Sequence, residues 1–307
     1  MIKSFDELAR LTKERAKAQF VPNVGVIWPM GGKCIEAASQ AMEDGYLKTC
    51  LIGPRRDIEG GASQAGYDLC EFKIIDVDDL KAAVKTAADM VKSGELHFLL
   101  KGNIETRELV DILLRPEIGF MIGGQLLSHV GVMQTARYHK LIFMTDAAVN
   151  IAPDANDKIK IIMNAAAVAR MLGNETPKAA LLAAVETVNP AMPVTMEEAA
   201  IAKMSDRGQI KDVLIDGPLS FDVAINAEVA RSKGITNSKV AGDPDIFVCP
   251  DLETANALYK AMVLYVKAET AGIIYGGIAP VSFAFAVDSV KNVSNSLILG
   301  AYLTLGK

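Results

Sequence analysis

The strongest constraint on the fold is a rhythm. Short apolar runs of strand length alternate with longer segments of helical period along most of the chain. "NVGVIWP" reads as a buried strand ending at Pro29. "GGKCIEAASQAMEDG" follows as a helix that opens on glycines and closes at Gly45. "KTCLIG", "FKIID" and "LHFLLKG" are further strands, with helices over "DDLKAAVKTAADMVKSG" and "ETRELVDILLR". Such βαβ repetition predicts a mostly parallel sheet with helices on both faces. A first helix precedes it all: Ser4 caps it, and Glu7 three residues on completes a capping box.

The rhythm breaks once. "SHVGVMQ" and "KLIFMT", joined through "TARYH", read as an antiparallel hairpin. Alternation then resumes with "DKIKIIMNAAAVARMLG" (helix), "KAALLAAV" (strand), "TMEEAAIAKMSDRG" (helix), "KDVLIDG" (strand), "SFDVAINAEVARSKG" (helix), "DIFVCP" (strand) and "LETANALYKAMVLYVK" (helix). "AGIIYGG" and "VSFAFA" are the last strands, and an amphipathic segment, "SVKNVSNSLILGAYLTL", closes the chain. The change near residue 140 marks the expected domain boundary. Residues 1–140 with 272–307 form domain I and residues 141–271 form domain II, with a ligand cleft between them.

Composition narrows the class. Half of the 307 residues are hydrophobic but only 6% are aromatic, which suits helices over buried parallel strands better than a β-sandwich. A net charge of −5 argues against a nucleic-acid footprint, so an anionic substrate needs a local basic pocket. No apolar run reaches the roughly 18 residues of a membrane span, and the charged start is unlike a signal peptide. A cytoplasmic protein is expected, with Cys34, Cys50, Cys70 and Cys249 as reduced thiols.

Several polar turns follow predicted strands, where open α/β sheets bind ligands. In "LLKGNIETRELVD", Lys101 ends a strand and Thr106 stands ready to cap a helix, an arrangement suited to phosphate and equally to an ordinary junction. Ser128 and His129 are adjacent in a strand, so they face opposite ways and are not a nucleophile–base pair. Asp146, Asn150, Asp154, Asp157 and Lys158 crowd one stretch, as ligand-orienting groups or as a plain Asx-turn scaffold. No spacing matches a zinc or EF-hand pattern, so no metal is expected. Asp216-Gly217 follows a strand, Gly242-Asp243 precedes one, and Asn256 lies in the next helix. The chain has no GxGxxG, P-loop or GxSxG.

Taken in order, "KGNIET", "LLSHVGV", "TDAAVNIAPD", "KIIMNAAAVARMLG", "AAVETVNPAMPVT", "DGPLSFDVAIN", "VAGDPDIFVCPDLETAN" and "YGGIAP" resemble the phosphate acetyl/butyryltransferase family, most closely its butyryltransferase branch. The resemblance runs from about residue 20 to the end of the chain. It implies a two-domain, three-layer αβα fold of the isocitrate/isopropylmalate dehydrogenase type, and a homodimer. It implies exchange of acyl-CoA and phosphate to acyl phosphate and CoA, by direct attack in a ternary complex. CoA or acyl-CoA is then a substrate, and no cofactor is covalently bound. Lys101, Thr106, Ser128, His129, Asp146, Asn150, Asp216, Gly217, Gly242, Asp243 and Asn256 are the substrate-binding positions it implies. Neither nucleic acid nor membrane is an expected partner.

The same resemblance exposes a departure. The family's Thr-Ser-Arg-Ala-Asp-Ser is Ala284-Phe285-Ala286-Val287-Asp288-Ser289 in this chain. Asp288 and Ser289 keep the implied catalytic positions. The transition-state serine is replaced by Phe285 and the phosphate-gripping arginine by Ala286. Losing a donor aimed at developing charge costs on the order of 10²–10³ in rate. Lys101, Arg107, Lys158 and Lys291 are the cations available to compensate. The alternative reading is an impaired or differently reactive acyl-CoA binder, in which "VSFAFAV" is only a buried strand. A dehydrogenase, by fold analogy alone, ranks last.

Overall fold

Val24, Val26 and Ile27 are shielded from water, and so are Leu51, Ile52, Leu99 and Leu100. Strands apolar on both faces belong inside a helix-covered parallel sheet. The computed structural model, which describes residues 1–306, places them there. The chain divides into two compact units: Ser4–Leu127 with the stretch from Glu269 onward, and Met1–Lys3 with Ser128–Ala268.

In the first of these units the strands are β1 (Asn23–Ile27), β2 (Lys48–Gly53), β3 (Lys73–Asp76), β4 (Phe98–Lys101), β10 (Glu269–Tyr275) and β11 (Val281–Phe283). They lie in the order β3-β2-β1-β4-β11-β10, all parallel to their neighbours except the antiparallel β10–β11 pair. Helices α1 (Phe5–Ala18), α2 (Gly32–Glu43), α3 (Arg55–Ala65) and α11 (Val290–Leu305) pack against one another in a chain of contacts. Helices α4 (Leu80–Lys92) and α5 (Thr106–Leu113) form a separate pair, with α4 on β1 and β2. Ser4 caps α1 by accepting from the Glu7 amide.

The second unit holds β5 (Ser128–Gln134), β6 (Ile142–Thr145), β7 (Lys178–Leu182), β8 (Leu214–Leu219) and β9 (Ile246–Val248), in the order β5-β6-β9-β7-β8. β5 and β6 are the antiparallel hairpin that the sequence predicts; β6, β9, β7 and β8 run parallel. Because the hairpin stays whole, the break between units falls at Leu127/Ser128 and not near residue 140. Helix α6 (Ala155–Met171) packs on the hairpin and on α7 (Pro193–Asp206), while α8 (Phe221–Ile225) and α10 (Leu252–Leu264) lean on β7 and β6.

The structure corrects four element readings. Helix α3 is not foreseen, because Gly60-Gly61 lowers its helical propensity; burial of Ile58 and Ala62, one turn apart, holds it. The helix read over residues 220–234 breaks at Asn226, whose side chain caps α9 (Ala227–Ser232) through the Glu228 and Val229 amides. The closing segment is not amphipathic in use. Asn292, Asn295 and Ser296 are buried with the apolar residues of α11, and Ser296 ties the helix to the sheet through the Gly272 amide and the Phe283 carbonyl. The strand read as "VSFAFA" stops at Phe283, and Ala286 and Val287 form an exposed turn. No described helix is long and apolar enough to cross a membrane.

Candidate active site

Chain order reverses at β1. The chain runs outward from β1 to β2 and β3, then returns to β4 on the other flank of β1. Such a switch point opens a crevice at the carboxyl ends of the strands. Trp28–Gly31 leaves β1 there and enters α2; Lys101-Gly102-Asn103 leaves β4. β11 lies beside β4, with Ser282 opposite Leu100, so residues 284–288 emerge at the same end.

The first two turns are sewn together. The Gly102 amide donates to the Ile27 carbonyl and the Asn103 amide to the Trp28 carbonyl, both at 2.9 Å. A Cβ on Gly102 would stand 2.4 Å from the Trp28 carbonyl oxygen, so only glycine permits this approach. Thr106, read as a helix cap, is instead the first residue of α5; Glu105 holds the cap position and makes no side-chain cap bond.

The turn after β11 is held by Asp288, which is only 1% exposed. Its carboxylate accepts from Thr270 Oγ1 and Asn292 Nδ2 at 2.9 Å and from the Phe285 amide at 2.7 Å. These bonds make Asp288 an anchor that fixes the turn. Ser289 caps α11 through the Asn292 amide. The Phe285 ring meets Phe283 edge-on at 4.7 Å, and the Lys101 ammonium lies 5.3 Å from the centre of the Phe283 ring.

Two cations flank this turn region. Lys101 Nζ donates to the Ile104 carbonyl at 2.7 Å and to that of Gly102 at 3.3 Å. Burial pulls its pKa down, since a desolvated ammonium is disfavoured. Lys33, in the first turn of α2, donates to the carbonyls of Asp288 at 2.8 Å and Ala286 at 3.2 Å. Cys34 follows Lys33 in α2, and its thiol reaches toward the Lys101 carbonyl at 3.9 Å. Burial pushes that thiol up to about 11 against the pull of Lys101 and Lys33. Sequence reasoning missed Lys33, although Gly-Gly-Lys after a strand and at a helix start was the available signal.

The other compensating candidates are committed elsewhere. Arg107 pairs with Asp111 at 3.6 Å on the surface, Lys291 lies 3.8 Å from Glu269, and buried Lys158 pairs with Glu197 at 2.8 Å in the second unit.

The second unit gathers some of its expected residues and scatters others. Asp146, directly after β6, accepts from the Ala148, Val149 and Asn150 amides and from Asn150 Nδ2, while Asn256 Nδ2 donates to the Ala147 carbonyl at 3.0 Å. Asp146, Asn150 and Asn256 thus build one turn. Burial raises the Asp146 pKa despite those donors. Ser128 is buried and accepts from Asn164. His129 is buried edge-on to Tyr259, and burial lowers its pKa to about 3, so it is a neutral core residue. Asp216 lines a cavity of about 480 Å³ with Ser205, Thr236 and Lys239. Gly217 packs where a Cβ would lie 2.6 Å from Leu181 Cβ.

Gly242 and Asp243 lie apart from the other expected positions. They precede β9 and so lie at the amino ends of the parallel strands. There Asp243 binds Lys140 and Lys178 at 2.9 and 2.8 Å, a structural clasp away from the ligand-binding ends. At the carboxyl ends, sequence reasoning overlooked Ser220, which donates to Glu186, with Lys233 3.1 Å from the same carboxylate. Among the described residues no group of His, Cys, Asp and Glu is placed to hold a metal ion.

Residues 77–301 match the family model described as phosphate acetyl/butaryl transferase. The chain belongs to that family. It is 36% identical over the full length of both chains to the phosphate butyryltransferase of Clostridium acetobutylicum. It is 38% identical to that of Clostridium beijerinckii over 98% of each chain. Among solved structures, a branched-chain phosphotransacylase from Enterococcus faecalis superposes with a TM-score of 0.79 at 27% identity, covering 92% of this chain and 99% of that one. A 4-hydroxythreonine-4-phosphate dehydrogenase from Klebsiella pneumoniae, at a TM-score of 0.56 and 11% identity, shares the fold alone. Within the phosphate acetyl/butaryl transferase family this chain therefore has the expected architecture, with Phe285 and Ala286 on the turn that Asp288 anchors.

Proposed function

We propose that the protein is a phosphotransacylase that moves a short acyl group, butyryl or a near homologue, between CoA and phosphate. The full-length match to two phosphate butyryltransferases carries this reading. In the reaction a phosphate oxygen attacks the thioester carbonyl carbon, a C–O bond forms, the C–S bond breaks, and CoA leaves as a thiolate that takes up a proton. The protein must bring a dianion against a thioester and stabilise the oxyanion between them. The crevice at the ends of β1, β4 and β11 offers Lys101 for the anion, and half-buried Phe285, backed by the buried Phe283 ring, gives it an apolar wall. The enzyme works as a cytoplasmic homodimer without a bound cofactor.

The test is CoA release from acetyl-, propionyl- and butyryl-CoA by folded protein, with and without phosphate. Phosphate-dependent release, fastest with the longer chains, is expected. No release from any of the three overturns the proposal, and CoA binding without turnover favours the impaired-binder alternative that Phe285 and Ala286 motivate.

A further inference from the structure

Lys33 carries a charge that the protein leaves uncompensated. Other lysines of the chain face carboxylates, Lys140 both Asp243 and Asp245, and Lys92 Asp89. Among the described residues no carboxylate lies within 4.0 Å of Lys33 or of Lys101. Both ammonium groups are instead pinned by backbone carbonyls, Lys33 by Ala286 and Asp288, Lys101 by Gly102 and Ile104. An ammonium has three N–H donors. Each lysine therefore keeps one donor unused by those carbonyls. Both pull on the thiol of Cys34, whose sulfur lies 3.9 Å from the Lys101 carbonyl oxygen. In a chain whose overall charge is negative, two cations without a carboxylate partner on turns at the same end of the sheet suit an anion.

We infer that Lys33 is the second phosphate-holding cation of this enzyme, supplied by α2 across the turn whose residue 286 is alanine. This rests on the phosphotransacylase reading, because phosphate is the anion that reading requires. Lys33 reaches the position through the turn's backbone, so the identity of the side chain at 286 does not decide whether a cation is present. Asp288 holds the turn from the buried side through Thr270, Asn292 and the Phe285 amide, and these three bonds do not involve Lys33. Removing the lysine therefore subtracts charge while the turn stays in place.

The experiment compares the full chain with Lys33→Met, Lys33→Arg, the double variant Lys33→Met/Ala286→Arg, and Lys73→Met, which removes an exposed lysine paired with Glu95. Inorganic phosphate binding is measured by calorimetry, and KM is measured separately for phosphate and butyryl-CoA. Lys33→Met is expected to raise the phosphate Kd and KM about ten- to a hundredfold, as loss of a charge-assisted hydrogen bond does, and to leave the butyryl-CoA KM within about twofold. Lys33→Arg and the double variant recover most of the loss, and Lys73→Met changes neither constant. An unchanged phosphate Kd in Lys33→Met overturns the inference, as does a native chain that binds no phosphate or an equal loss for both substrates. Phosphate binding that needs Lys33 in a protein that releases no CoA keeps the inference and overturns the phosphotransacylase reading. Turnover indifferent to Lys33→Met does the reverse.

Discussion

The Lys33 ammonium donates to the Asp288 carbonyl at 2.8 Å, across 255 positions of sequence. The bond exists because β11 returns beside β4, and β4 beside β1, so the turn before α11 meets the start of α2. The Asp288 side chain works on the opposite side of the same turn.

That division of labour gives the first expectation. Asp288→Ala leaves the Thr270 hydroxyl, Asn292 amide and Phe285 amide without their buried acceptor. Each bond to a charged group is worth roughly 1.5–3 kcal/mol, so urea unfolding of Asp288→Ala is expected to show a loss of about 3 kcal/mol or more. Turnover falls with it because the turn is released. A loss below about 1 kcal/mol contradicts the anchor role.

Gly102→Ala is the corresponding test of the crevice. The added methyl meets carbonyl oxygens of Trp28 and Ile27 at 2.4 and 2.5 Å, and backbone cannot rotate away as a side chain can. A destabilisation of roughly 2–4 kcal/mol in chemical denaturation is expected, with reduced phosphate affinity. Native stability in Gly102→Ala means that the two turns are not locked together.

Phe285→Ser tests the aromatic wall. The substitution removes an edge-on ring contact worth about 0.5–1.5 kcal/mol and places a hydroxyl donor beside the turn. It is expected to raise kcat about tenfold or more, toward the 10²–10³ that one donor to developing charge supplies. It also weakens any preference for longer acyl chains, read as kcat/KM for butyryl-CoA over acetyl-CoA. Unchanged kcat and unchanged preference place Phe285 outside the reacting region.

Stability should depend on pH in opposite senses through two buried groups. Burial raises Glu198 from 4.5 to about 8, so between those values the native state binds more protons than the unfolded one and stability falls as pH rises. Burial lowers His129 from 6.5 to about 3, so between those values the unfolded state binds more protons and stability rises with pH. The two slopes oppose each other from about 4.5 to 6.5, and only that of Glu198 remains from 6.5 to 8. Urea midpoints for Glu198→Gln over pH 6.5–8 are expected to lose the downward slope, which is on the order of a few kcal/mol in the native protein. An identical slope in Glu198→Gln excludes that group as its source.

Much of the architecture was legible because strand burial and helix period write themselves into sequence. β1, β2, β4 and the β5–β6 hairpin all fall where apolar runs and turn residues place them. Helix α3 hid behind Gly60-Gly61, and the polar residues of α11 looked solvent-facing because nothing local says that Ser296 will bond to the sheet. The site was only partly legible for the same reason. Lys101 stands at a strand end and was found from its own turn, whereas Lys33 gains its meaning from carbonyls 253 and 255 positions away. Asp243 was read before a strand and expected in the site only from the resemblance, and its ion pairs with Lys140 and Lys178 come from residues far away in sequence.

Direct acyl transfer from CoA to phosphate is decided by initial-rate kinetics with butyryl-CoA and phosphate varied together. The expected result is saturation in both substrates with double-reciprocal lines that intersect, as a ternary complex requires. Parallel lines, an acyl-enzyme burst without phosphate, or rates indifferent to phosphate would contradict it.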